Sequence, residues 1–155
     1  SETVTSSSER WWTNTITAVD DNSATSVSTL ATAGSIYIYN GTHTTTGYNI
    51  NADKIGFVVA PGKTLEAQGN TDNLNTSAET AVPTSSGLLS IGTQKYIWVE
   101  GSFSLYSSST STAMIRGIST YSVKYSTFRN ITTYAGYVAG TFGMSISSSN
   151  YNRFS

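Results

Sequence analysis

The sequence predicts an all-β domain built of stacked coils, a β-solenoid. Short runs of alternating apolar residues recur along the chain, and after Gly87 they return every 26 to 29 residues. Helical periodicity is confined to one stretch near the start, where Ser and Thr dilute it. Self-similarity at a period of about 20–50 residues marks repeat architectures. A coil of short strands cannot bury its inner face alone, so coils must stack to make a core.

The composition narrows the function classes. The chain has 155 residues, 8 Lys+Arg, 9 Asp+Glu, 1 His and no Cys. Charged residues make up 11%, against about 25% in ordinary soluble domains. The polarity is neutral instead, with 26 Ser, 25 Thr and 11 Asn. A net charge of -1 offers no electrostatic basis for nucleic-acid binding. The lack of Cys excludes a disulfide framework, thiolate metal sites and Cys nucleophiles. One His excludes most His-based metal centres, and neither a metal nor a cofactor is expected. No apolar run approaches the ~18 residues of a membrane span. Such a composition also suits a disordered chain. A hydrophobic share of 37%, an aromatic share of 12% and only two Pro argue for a folded one.

Taken in order, residues 1–10 are polar and expected to form a flexible or exchanged arm. Residues 11–155 are expected to be one domain, with residues 11–34 as its N-terminal cap. Trp11 and Trp12 lead into a strand-like alternation from Thr13 to Thr17. Asp20-Asp21-Asn22 offers side-chain oxygens for the free N–H groups at a helix start. Ala24, Val27, Leu30 and Ala31 follow at helical spacing, and Gly34 is the expected stop. From Ile36 the period becomes 2. Strands are expected at Ile36–Tyr39, Tyr48–Asn51 and Ile55–Ala60, with an extension over Thr64–Ala67. Residues 70–86 are polar and read as a long projecting loop, and loops of that length are often functional. Three repeat units follow. Leu88–Gly92 leads to Tyr96–Val99 and Phe103. Met114–Ile118 leads to Tyr121–Tyr125 and Phe128. Phe142–Ile146 leads to the segment from Ser149 to Phe154. Leu89 with Ile115 and Ile97 with Val123 set the period at 26, and Ile115 with Met144 gives 29.

Two stretches resemble the right-handed parallel β-helix superfamily, the pectate-lyase-like fold. Ser26 to His43 is similar to the family's opening, where a capping helix precedes Gly, a polar residue and an aliphatic-aromatic strand. Ser35 stands where an acidic residue is usual, and His43 where Tyr is usual. Ile115 to Asn130 is similar to the repeat ending in Thr-Phe-x-Asn, here Thr127-Phe128-Arg129-Asn130. The resemblance covers roughly residues 11–155. It implies a right-handed parallel β-helix with a short N-terminal capping helix; its motifs specify architecture, and a non-catalytic member is expected because the superfamily's catalytic patterns are missing.

The catalytic patterns of such a family are not matched. Asn70-Thr71-Asp72 falls in the expected loop, Asp20-Asp21 at the expected helix start, and His43 lies between threonines rather than glycines. Asp53, Glu66, Asp72, Glu79 and Glu100 are scattered, without the close spacing of a Ca²⁺ loop. Glu100 and Lys124 are expected to stack on neighbouring coils as a surface pair, with Arg116 facing elsewhere. Thr42 and Thr44 to Thr46 cluster, but later coils do not repeat them as an ice-binding ladder would. Sequons occur at Asn40, Asn75 and Asn130 and are compatible with an extracellular setting. Trp98 alternates out of phase with Ile97 and Val99 and is expected on the outer surface.

Neither a secretion signal before Ser1 nor a C-terminal cap is apparent, so a mature or excised product with an open last coil is expected. An uncovered coil invites pairing with another chain. The expected function is that of an extracellular, non-enzymatic structural protein. It would be a β-helix subunit assembling head to tail with itself in a surface filament, sheath or viral fibre. The alternative is a β-helix that binds or cleaves a cell-surface polysaccharide. Trp11, Trp12, Trp98, Tyr151 and Phe154 are the candidate assembly or glycan contacts.

Overall fold

The computed structural model describes residues 15–19, 28–41, 47–66, 85–105, 114–135, 142–147 and 151–155. Twelve strands lie within them: β1 Thr15–Val19, β2 Ser28–Leu30, β3 Ser35–Tyr39, β4 Tyr48–Ile50, β5 Gly56–Val59, β6 Leu65–Glu66, β7 Ser85–Ile91, β8 Trp98–Leu105, β9 Met114–Tyr121, β10 Thr127–Ala135, β11 Phe142–Ser147 and β12 Arg153–Phe154. They form two sheets. The first runs β1-β3-β5-β8-β10-β12, with β6 also against β8, and the second runs β11-β9-β7-β4-β2. Every pairing in both sheets is parallel. Apart from β5 and β6, which both lie in the first sheet, the chain alternates between the sheets and advances along each, which is the solenoid-like architecture expected from the repeats.

Side-chain alternation places the core between the sheets. In β3, Ser35, Tyr37 and Tyr39 are buried while Ile36 and Ile38 are half-buried. Tyr37, Phe57, Val99 and Phe128 share one register position on the first sheet, and all four are buried. Facing them on the second sheet are the columns Tyr48–Leu89–Ile118 and Leu30–Ile50–Ile91–Thr120. Ring contacts cross the core from Tyr39 to Tyr48 (5.9 Å) and Tyr48 to Phe57 (5.6 Å), and Phe57 meets Phe103 of the same sheet (6.2 Å). Edge and tilted arrangements at such distances are favoured by the ring quadrupole.

One corner sets the coil geometry. Gly34, Lys54, Tyr96, Tyr125 and Tyr151 each stand two residues before an in-register position of the first sheet. All five have positive φ (84, 60, 58, 51 and 57°). The left-handed region costs a non-Gly residue roughly 1–2 kcal/mol, so the stacked neighbours must hold it there. Backbone bonds do part of this: Gly34 N–H donates to Lys54 O, Lys54 N–H to Lys95 O and Tyr96 N–H to Lys124 O (2.6, 3.0 and 3.1 Å). Side chains do the rest further along. Asp53 Oδ1 accepts from Lys95 N–H (2.9 Å), Ser126 Oγ from Ile97 N–H (2.9 Å) and Asn152 Oδ1 from Ser126 N–H (3.0 Å).

The structure corrects four expectations. Ser28–Leu30 is a strand followed by a turn at Ala33-Gly34, not the last turn of a helix. Its pairing with Tyr48–Ile50 overrides a weak helical spacing; the rest of the expected helix, 20–27, lies outside the described residues. Tyr121–Tyr125 is not a second strand. Ser122 and Tyr125 are left-handed, so an alternating run is folded into a corner and the strand begins at Thr127. The coil offset is 29 between Leu89 and Ile118 and 26 between Ile118 and Met144. The apolar run of β9 permits an alignment on Ile115, but a three-residue slip would turn its side chains to the opposite face. Finally, Ser85 and Ser86 belong to β7 rather than to the expected 70–86 loop, whose residues 70–84 are not described.

Candidate functional site: a Trp–Arg cleft on the first sheet

The outer face of the first sheet changes character along the coils. One register column reads Ile16, Ile36, Gly56, Trp98, Thr127, Arg153. The adjacent outward column reads Ala18, Ile38, Val58, Glu100, Arg129. The face is therefore aliphatic over the first three strands and cationic over the last two. Trp98 stands at the boundary.

Trp98 is half-buried because its neighbour in register is Gly56, which has no side chain to compete for the space. A depression of about 50 Å³ remains there, lined by Ile36, Gly56, Val58 and Trp98. Towards the later coils the indole borders a cleft of about 430 Å³, shared with Thr127, Arg129, Asn130, Arg153 and Ser155. The indole Nε1–H donates to Glu100 Oε1 at 3.2 Å, which fixes the ring and engages the carboxylate of this face. Arg129 and Arg153 are exposed. Asn130 is left-handed (φ 49°), at the register shift that bends β10, and its N–H donates to Ser155 O at 2.8 Å.

This arrangement combines an aromatic wall, an apolar recess and guanidinium donors on a rigid parallel sheet. It can hold a ligand with apolar faces and anionic or hydroxyl edges. Guanidinium groups bind carboxylate or sulfate oxygens in a fork, and an indole face packs on C–H surfaces.

The residues singled out from the sequence are not all brought together. Trp98 lies in the cleft as an outward residue. Tyr151 and Phe154 lie in the last described coil, 72% and 51% exposed. Phe154 continues the inner column, stacked on Phe128 at 5.1 Å, and Tyr151 stacks on Tyr125 at 5.4 Å. Trp11, Trp12, Asp20, Asp21, His43, Asp72, Asn75 and Glu79 lie outside the described residues, as does the Thr42–Thr46 cluster. Asp53 caps a backbone N–H at the corner. Glu100 stands in register with Arg129, not with Lys124, which instead bridges Lys95. Asn40 is exposed just after β3, and Asn130 borders the cleft. Among the described residues no three His, Cys, Asp or Glu side chains gather as a metal site, and no helix is long and apolar enough to cross a membrane.

Arg129 and Arg153 were not singled out from the sequence as contacts, and Asn130 only as a sequon and the end of the Thr-Phe-x-Asn repeat. Aligning Trp98 with Thr127 and Arg153 would have revealed them, but an alignment on Ile97 and Val123 hides that column. The dipeptides Lys95-Tyr96 and Lys124-Tyr125 and the following Asn150-Tyr151 carried the needed signal. No protein-family model, curated protein or solved structure matches the chain.

Proposed function

We propose that this chain is an extracellular, non-enzymatic right-handed parallel β-helix that holds a polysaccharide on the flank of its first sheet. The observation that carries the reading is Trp98, the shared wall of an apolar recess and an arginine-lined cleft. Sugar rings offer C–H faces to the indole, and acidic substituents offer oxygens to Arg129 and Arg153. Right-handedness is supported by the strong chirality of parallel crossovers within one sheet. Binding without cleavage is supported by the engagement of Glu100 with the indole N–H.

Affinity electrophoresis against neutral, carboxylated and sulfated polysaccharides tests this. Retardation by at least one acidic polymer is expected, with no new reducing or unsaturated ends in the product. Trp98→Ala should weaken binding about tenfold, equivalent to ~1.4 kcal/mol. Retention that is equal for Trp98→Ala and the parent chain would remove the site from consideration.

A head-to-tail structural subunit is the second reading, and the last described coil favours it. Tyr151 and Phe154 each stack on one neighbour and are largely exposed otherwise. A further coil, from the same chain or another copy, would continue both columns. Negative-stain microscopy decides: filaments that bind no glycan would favour this reading over the first.

A further inference from the structure

The three corner tyrosines form a second feature, separate from the Trp98 cleft. Tyr96 and Tyr125 stack with centroids 5.6 Å apart and planes 21° from parallel. Tyr125 and Tyr151 stack more closely, at 5.4 Å and 13°. Exposure rises along the row: Tyr96 is half-buried, Tyr125 is 42% exposed and Tyr151 is 72% exposed. Their backbones share the left-handed conformation, at φ 58, 51 and 57°, so the three side chains leave the corner at equivalent positions in successive coils.

A face-to-face row is a poor platform for sugar, because Tyr125 has a ring on each side and shows solvent only its edges. The edge of a tyrosine ring carries the phenol oxygen and the ortho carbons beside it. Those are the atoms at which phenoxyl radicals couple.

We propose that Tyr125 and Tyr151 are an oxidative cross-linking site, coupled into an intrachain dityrosine that joins adjacent coils. The oxidant is a peroxidase-class one-electron oxidant working with hydrogen peroxide. Each phenol gives up one electron and one proton and becomes a phenoxyl radical. The radicals join through a new bond between ortho carbons. Each of those carbons then loses its hydrogen as a proton, and each oxygen regains one, restoring two phenols. The two electrons and two protons removed in total reduce one hydrogen peroxide to two waters. The pre-stacked pair favours this coupling over coupling between chains, since the second radical is already a neighbour. Tyr96 is disfavoured by its burial and wider ring angle.

The test is treatment of the dilute full chain with peroxidase and hydrogen peroxide, followed by tryptic mapping. Cleavage after Lys124 and Arg129 isolates Tyr125 as the single tyrosine of its peptide. The expected product is that peptide bridged to Tyr151, two hydrogens lighter than the sum, with dityrosine fluorescence and an unchanged chain mass on a denaturing gel. Tyr125→Phe keeps the ring in the stack and removes the phenol, so the bridge should vanish while the β circular dichroism persists. Unfolding the parent in urea before oxidation should abolish the selectivity. A main product linking separate chains, a bridge from Tyr125 to a different tyrosine, or equal Tyr125–Tyr151 yield from the unfolded chain would each overturn the proposal.

Discussion

The two sheets are built from the same coils, yet their outer faces differ. The first sheet is bent: the start of β8 pairs with β5 and its end with β6, and β10 shifts register between Arg129 and Thr132. Its outward side chains grade from half-buried Ile36 and Val58 through Trp98 to exposed Arg129 and Arg153, with Thr127 buried among them. On the second sheet, Asn49, Ser90 and Ser119 share one outward row and are nevertheless buried. Asn49 Oδ1, Ser90 Oγ and Ser119 Oγ have no hydrogen-bond partner. On the first sheet the corner serine Ser126 is bonded, and the buried oxygens without a partner are single ones, Ser35 Oγ and Gln94 Oε1, rather than a row. The difference teaches that a solenoid assigns its faces separately. One flank remains available to solvent, and the other carries a desolvation cost.

The bend is the most fragile part of this contrast. Gly101 sits in β8 with φ 127°, and an added Cβ would fall 2.5 Å from Val59 Cβ. Gly101→Ala must therefore distort the backbone or displace Val59. A loss of about 3 kcal/mol is expected from strain and overpacking, read as a lower urea midpoint. An unchanged midpoint would show that the bend does not depend on glycine.

Ser126→Ala should cost less. Its Oγ accepts from Ile97 N–H and donates to Lys124 O, both at 2.9 Å. Removing it strands a buried N–H, for about 1–2 kcal/mol. Ser90→Ala is the matched opposite on the second sheet. It deletes a buried hydroxyl that has no partner, so stability should hold or rise by up to ~1 kcal/mol. Equal destabilisation by the two serine variants would mean that Ser90 is bonded after all, and the contrast between faces would fail.

Much of the strand content was legible because alternation is a local property. Ile36–Tyr39, Tyr48–Asn51 and Ile55–Ala60 overlap β3, β4 and β5. Register was less legible. Several apolar residues in β7 and β9 satisfy more than one alignment, and only neighbouring coils select among them. The corners were hidden for another reason. Tyr96, Ser122 and Tyr125 adopt positive φ that nothing in a β-prone side chain announces. The candidate site inherits both difficulties. Trp98 was found from its alternation, but Arg129 and Arg153 meet it only through a register spanning 55 residues, from Trp98 to Arg153.

Coil length is the feature with the widest consequence. Ile16, Ile36 and Gly56 are 20 residues apart, yet the next step, to Trp98, takes 42, and those that follow take 29 and 26. Parallel pairing continues across all of these steps. The rungs thus act like fixed treads, while the chain between them is free in length. A molecule built this way can gain or lose whole excursions on one side without re-aligning the ladder. New surface chemistry can then be tried at little risk to the fold that carries it.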